Sequence, residues 1–168
     1  MLPLSEFYKN FCKVTYNGDG VLETFEPVIP DTFNFAYDVV DEIARQQPDR
    51  RALVWCNDQG EERVFTYGDI SRYSNRAANL FRQQGVKKGD MVMLVLKRHS
   101  QFWFAVIALH KLGAVGIPAT NLLTVKDFAY RFEAAGVKHI ICTAEGDVTS
   151  TVEEACTSYK GIESKFTV

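Results

Sequence analysis

No stretch of this chain is apolar over the roughly 18 residues that a membrane-crossing helix needs, so no membrane span is expected. Its start, MLPLSEFYKNF, lacks the basic opening and apolar run of a secretory signal. Cysteine is sparse. Cys12, Cys56, Cys142 and Cys156 form no C-x-x-C pair and keep no regular spacing, which excludes a disulfide framework or zinc ribbon as the organising device. Cys142 closes an apolar run and Cys156 falls in a helical pattern, so both read as core thiols, and a reducing, cytoplasmic setting is expected. An excess of one charge is also lacking: 19 Lys and Arg stand against 21 Asp and Glu, with no basic stripe, so binding to nucleic acid through its phosphates is not expected. Neither G-x-G-x-x-G nor G-x-x-x-x-G-K-[ST] occurs, so an α/β pattern alone does not license a nucleotide site. The three histidines, His99, His110 and His139, stand apart from one another and from other ligand types, and no metal site is expected. His110, near a helix end, would gain from the helix dipole if protonated.

What is present is a chain of 168 residues, 46% hydrophobic, enough for one sizeable core. Residues 1–34 are the least regular. SEFYKNF reads as a short helix with Phe7, Tyr8 and Phe11 on one side, NGDG as a turn, and FEPVIPDTFNF as an extended segment. The expectation is an N-terminal arm over residues 1–34, lying on a larger body. From Phe35 the pattern tightens. Ala36, Val39, Val40 and Ile43 recur at helical spacing until Pro48. Two β-rich runs flank Asn57–Gly60 as a hairpin. Thr66 with Asp69 reads as a capping box, and Ile70, Tyr73, Ala77, Leu80 and Phe81 as the apolar stripe of the helix that follows.

Strands are expected from about residues 91, 115, 138 and 165, with a helix between each pair. The helices are capped in turn by Ser100, by Thr124 with Asp127, and by Ser150 with Glu153, and stopped by Gly113, Gly136 and Gly161. MVMLVL and VKHIIC are continuously apolar enough to be buried on both faces. This alternation predicts an α/β fold over residues 35–168, a three-layer sandwich with a largely parallel sheet.

The acidic pairs in GEE (60–62) and VEE (152–154) read as turn and helix-start charges, and Phe102, Trp103 and Phe104 as core aromatics. Ligands of open α/β sheets bind at the carboxyl ends of strands. Here those positions are Lys97, Arg98, His99 and Ser100 after one strand, and Pro118 to Leu122 after the next. The residues leave two uses open for the second turn, holding a ligand or capping the helix that follows.

FTYGDI (65–70) and LHKLGAVGIPATN (109–121) stand in order with FNFAYDVVDEIARQQPDRRALVW, GVKKGDMVMLVLKR and TVKDFAYRFEAAGVKHII. This ordered set, over about residues 33–145, resembles the N-terminal portion of AMP-forming acyl-CoA synthetases of the adenylate-forming superfamily. FTYGDI is similar to their first core motif and LHKLGAVGIPATN to their second, and the wording around residues 117–131 is nearest to the medium-chain branch. The resemblance implies part of that superfamily's large N-terminal domain and a two-step ligase using ATP, Mg²⁺, coenzyme A and a small carboxylic acid. It places Thr120, Asn121 and Leu122 at the edge of a coenzyme A channel, and no catalytic residue can be carried over. Acetyl-CoA synthetases also have coenzyme A-binding arginines after the next strand, whereas AEGDVTST (144–151) has none. The family's Ser/Thr/Gly-rich phosphate loop, adenine-contacting motif and C-terminal lid do not occur in these residues. The chain is therefore expected to be an N-terminal fragment, inactive by itself, with no cofactor tightly bound and with self-association through exposed surfaces. The alternative is a stand-alone, non-catalytic α/β binding or scaffold module.

Overall fold

Parallel strands covered on both faces need unbroken apolar runs, and two of them form the centre of this fold. The computed structural model describes residues 4–168, which divide into two compact units, residues up to 34 and residues 35–168. The first three residues of the stretch read against a signal peptide lie outside the described residues.

In the first unit a 3₁₀ helix, Leu4–Asn10, is followed by strands β1 (Cys12–Tyr16) and β2 (Leu22–Pro27), paired antiparallel. The sequence predicts a turn at NGDG and an extended segment from Phe25, and the structure adds the pairing of two strands around that turn. The hairpin forms because Asn17 builds the turn: its side-chain oxygen accepts the N–H groups of Asp19 at 3.0 Å and Val21 at 2.9 Å. Phe7 is buried and meets Phe11, which in turn meets Phe33 edge-on. Tyr8, expected on the same apolar side, is exposed.

The second unit opens with a π-helical turn, Phe35–Asp41, that runs into helix α1 (Glu42–Gln46) and buries Ala36, Val40 and Ile43. Strands β3 (Arg51–Cys56) and β4 (Glu62–Thr66) form an antiparallel hairpin. Asn57 Oδ1 closes its turn by accepting from the N–H groups of Gln59 and Glu61. Helix α2 (Tyr67–Gln83) starts at the capping box: Thr66 Oγ1 accepts the Asp69 N–H, and Asp69 Oδ2 accepts the Thr66 N–H at 3.0 Å. The bonds from Thr66, with Arg72 beside them, hold the Asp69 carboxyl below its ordinary range. The buried face of α2 is Ile70, Ser74, Ala78 and Phe81, so Leu80 lies off the apolar stripe and is exposed.

Strands β5 (Met91–Val95), β6 (Val115–Pro118), β7 (Val137–Cys142) and β8 (Ser164–Thr167) alternate with helices α3 (Gln101–Leu112), α4 (Val125–Ala135) and α5 (Val148–Ser158). They form one parallel sheet in the order β6-β5-β7-β8. Successive residues of β5 serve opposite layers, as a strand's period of two requires. Val92 and Leu94 pack with Ala78 and Phe81 of α2 and with Ala105, Ala108 and Leu109 of α3. Met93 and Val95 pack with Phe128 and Phe132 of α4 and with Val148 and Val152 of α5. This is the expected three-layer α/β sandwich. Burial pushes the thiols of Cys142 and Cys156 up, away from the reactive thiolate.

Five local expectations are corrected. Ser100 has helical backbone angles and makes no cap bond to the helix backbone; its hydroxyl donates to Gln101 Oε1 instead. Helix α5 begins at Val148, so Ser150 lies inside its first turn, donating to the Asp147 carbonyl, and Glu153 reaches Lys165. The same helix ends at Ser158, before Gly161, whereas Gly113 and Gly136 do stop α3 and α4 in the left-handed conformation, φ 67° and 60°. Trp103, expected in the core, is 50% exposed, and Phe104 alone of its trio packs under the hairpin, against Phe65 and Tyr73. Burial pushes His110 down, towards its neutral form, against the expected gain from the helix dipole.

Two buried polar networks tie the elements together. Asp90 accepts from Lys138 Nζ at 2.8 Å and from the Lys87 N–H at 2.8 Å. Burial pushes its carboxyl up, but Lys138, the Lys87 N–H and His139 outweigh that and hold it below the ordinary range. His139 is fully buried, with Nε2 3.3 Å from Asp90 Oδ2 and Nδ1 2.7 Å from Ser164 Oγ. An ionised carboxylate only accepts, so Nε2 carries a proton and donates it to Asp90 Oδ2. The second network, around Lys111, joins the π-helical turn to α2 and α3.

Candidate functional site

The chain leaves β5 through α3 to β6 on one side, then crosses by α4 to β7 on the other. At such a reversal the connections part, and a crevice opens beyond the carboxyl ends of the strands. A cleft of about 860 Å³ lies there. Its walls come from three places: Trp55 to Gln59 of the β3–β4 hairpin, Lys97, Arg98 and His99 after β5, and Ala119, Thr120 and Asn121 after β6, with Glu145 closing the side next to β7.

The floor is a polar cluster. His99 Nε2 lies 2.8 Å from Thr143 Oγ1, and the same oxygen accepts the Glu145 N–H at 3.1 Å. Glu145 faces two potential cations, with Oε2 3.1 Å from Lys97 Nζ and Oε1 3.7 Å from His99 Nε2. The hairpin wall is pinned to the strand end because Trp55 Nε1 donates to the Arg98 carbonyl at 2.5 Å. Arg63 lies 5.6 Å from the Trp55 ring centroid, within cation–π range. Asn57 Nδ2 donates to Glu61 Oε2 at 2.7 Å, which partners one of the cleft's acidic groups.

Capping of α4 is done by Thr124 and Asp127, whose reciprocal bonds run at 2.9 Å from the Thr124 N–H and 3.4 Å from the Asp127 N–H. The bonds from the Thr124 N–H and hydroxyl hold the Asp127 carboxyl below its ordinary range. Thr120 and Asn121 are left to line the cleft. Thr120 Oγ1 accepts the Leu122 N–H at 3.2 Å, so its own proton remains available to donate. Leu122 is 82% exposed and does not line the cleft. Of the residues singled out in sequence, the structure thus gathers Lys97, Arg98, His99, Thr120 and Asn121, and leaves Ser100 buried beside them. Trp55, Thr143 and Glu145 were missed, because no motif marks them. Among the described residues no group of three or more His, Cys, Asp or Glu could hold a metal ion.

Solved structures share this fold. The chain superposes on the Mycobacterium tuberculosis fatty acyl CoA synthetase with a TM-score of 0.71 at 21% identity, covering 80% of this chain and 26% of that one. It superposes on the benzoate CoA ligase from Burkholderia xenovorans LB400 with a TM-score of 0.68 at 24% identity, covering 81% and 26%. The fold is that of the N-terminal domain of adenylate-forming enzymes. Residues 40–165 match the model of the AMP-binding enzyme family, and the chain belongs to that family.

The relatives agree. The chain is 40% identical over 119 residues to acyl-coenzyme A synthetase ACSM5, mitochondrial, of Rattus norvegicus, a match over 67% of this chain and 21% of that protein. It is 32% identical over 159 residues to acyl-coenzyme A synthetase ACSM3, mitochondrial, of Homo sapiens, over 90% of this chain and 27% of that protein. The homology is to acyl-CoA ligases over their N-terminal portion.

Proposed function

We propose that this chain is the N-terminal part of an ATP-dependent acyl-CoA ligase. In that reaction a carboxylate attacks ATP to give an acyl-adenylate and pyrophosphate, and the thiol of coenzyme A then displaces AMP. The observation that carries the reading is the match of residues 40–165 to the AMP-binding family, joined to a cleft at the strand ends where Thr120 and Asn121 meet Lys97 and Arg98. Medium-chain or short-chain fatty acids are the first substrate class to try and aryl acids the second. All four cysteines are free thiols, which suits a reducing compartment such as the cytoplasm.

The residues present fit the phosphorylated end of coenzyme A better than they fit the other reactants. Coenzyme A, when bound, supplies the thiol that accepts the acyl group. Lys97 and Arg98 offer positive charge to its phosphates, the Thr120 hydroxyl and Asn121 amide offer hydrogen bonds, and the Trp55 ring offers a flat apolar wall. Leu122, held outside the cleft, contributes its backbone N–H by fixing the Thr120 hydroxyl. Among the described residues no group of three or more His, Cys, Asp or Glu could hold a metal ion, and no step through the magnesium expected with ATP is assigned to this chain.

The test combines binding with turnover. In equilibrium dialysis the 168-residue chain retains coenzyme A. Given ATP, magnesium and a panel of carboxylic acids, it releases no pyrophosphate and exchanges none into ATP, because activation needs a phosphate loop that these residues lack. Pyrophosphate exchange above the blank would sink the assignment of catalysis to segments beyond this one. Failure to retain coenzyme A at millimolar concentration would count against the cleft as its channel.

A further inference from the structure

The cations of the cleft already hold an anion of the protein's own. We propose that Glu145 is an internal competitor for the anion site made by Lys97 and Arg98, occupying Lys97 in the free protein and released from it when a phosphorylated ligand enters. The inference rests on the reading of the cleft given above and adds a regulatory element to it.

Three observations carry it. First, Lys97 lies on β5's exit and Glu145 on β7's exit, 48 residues apart in sequence, and their side chains meet across the point where the connections diverge. A ligand entering the crevice between β5 and β7 lies along that pair. Second, the pair is built for exchange. Its Nζ–Oε2 distance is 3.1 Å and its side chains are 35% and 59% exposed, so both ends stay in reach of water and parting them strands no buried charge. Third, Glu145 is held at the strand exit independently of Lys97: its N–H donates to Thr143 Oγ1 at 3.1 Å, while Oε1 of the same carboxylate lies 3.7 Å from His99 Nε2. The side chain can therefore swing without moving the strand end. The stretch after β7, AEGDVTST, carries two acids, Glu145 and Asp147, and no arginine, so the positive charge at this point of the cleft comes from the β5 exit.

A phosphate competing for Lys97 must displace Glu145, and removing the carboxylate's charge removes that cost. Isothermal titration with adenosine 3′,5′-bisphosphate, the nucleotide end of coenzyme A, and in parallel with AMP, separates the two sources of a phosphorylated adenosine. Whichever binds, Glu145→Gln tightens it about three- to fivefold, the span of an exposed ion pair. Lys97→Gln weakens it by a similar factor. In the Lys97→Gln background, Glu145→Gln changes affinity less than twofold, because the pair it breaks no longer exists. Glu145→Ala, with the same circular-dichroism spectrum as wild type, repeats the result with a shorter side chain. Equal affinity of wild type and both Glu145 variants overturns the competition and leaves the cleft's reading standing. So does a gain that persists undiminished without Lys97, which would mean only a long-range repulsion between Glu145 and the ligand. No binding by any variant overturns both.

Discussion

Asp41→Ala lowers the unfolding free energy by about 3–5 kcal/mol, the cost of leaving a buried charge without its partner. The charge is Lys111, on α3, whose side chain is 2% exposed. Its Nζ lies 2.8 Å from Asp41 Oδ1 and 2.8 Å from Asn75 Oδ1, with the Tyr37 ring centroid 5.8 Å away. Without Asp41 the ammonium keeps a neutral amide oxygen and an aromatic face, which do not replace a carboxylate. Urea denaturation followed by fluorescence reads the change in midpoint. Asp41→Ala with Lys111→Met recovers most of the loss, since replacing both members of a buried pair with apolar groups is often close to neutral. A cost under about 1 kcal/mol for Asp41→Ala alone would mean that the ammonium reaches water and that the network does not hold the helices. Because α3 begins immediately after Lys97–Ser100, the network also anchors the helix that positions the cleft's cations.

Phe132→Ala costs a comparable amount, about 3–5 kcal/mol, by a different mechanism. Phe132 is fully buried on α4, 5.7 Å from the Phe128 ring and 5.8 Å from the Tyr159 ring. It bridges α4 to the chain leaving α5, so its loss opens a cavity between two helices of one layer, and neither can collapse without lifting from the sheet. Phe132→Leu, which keeps most of the volume, is expected to cost under about 1.5 kcal/mol. The same denaturation experiment measures both, and equal losses for Ala and Leu would point to ring geometry rather than volume. The turn carrying Thr120 and Asn121 leads directly into α4.

Much of this was legible in sequence because the physics acts locally. MVMLVL and VKHIIC had to be strands covered on both faces, and the alternation with helical stripes fixed a parallel sheet. Thr66 with Asp69 and Thr124 with Asp127 were recognisable because a capping box names both partners. Ser100 was misread because a lone hydroxyl near a helix start leaves its own backbone angles undetermined, and Ser150 with Glu153 because the same spacing also occurs inside a helix, here one that already begins at Val148. The β1–β2 hairpin was missed because its strands are short and β2 is exposed throughout, so no buried alternation marks it. Trp103 was misplaced because QFWFAVIAL is apolar nearly all round, so the sequence of α3 does not mark which face turns to solvent.

The cleft divides in the same way. Lys97, Arg98, His99, Thr120 and Asn121 were candidates because residues following parallel strands meet at the sheet's carboxyl edge. Trp55 and Glu145 reach that edge from elements more than 40 residues before and after Lys97–Arg98. Only the hairpin's seat and the order β6-β5-β7 bring them in. Leu122 follows Thr120 and Asn121 in sequence; its N–H donates to Thr120 Oγ1 and its side chain is exposed.

The central claim, that the strand-end cleft takes the phosphorylated end of coenzyme A, is tested most directly by titrating coenzyme A into the isotopically labelled chain and following its amide resonances. The account predicts saturable shifts concentrated at Lys97–Ser100, Thr120–Leu122, Thr143–Glu145 and the Trp55 indole N–H, reproduced by adenosine 3′,5′-bisphosphate and not by pantetheine. Saturable shifts confined to another surface, or none at millimolar coenzyme A, would contradict it.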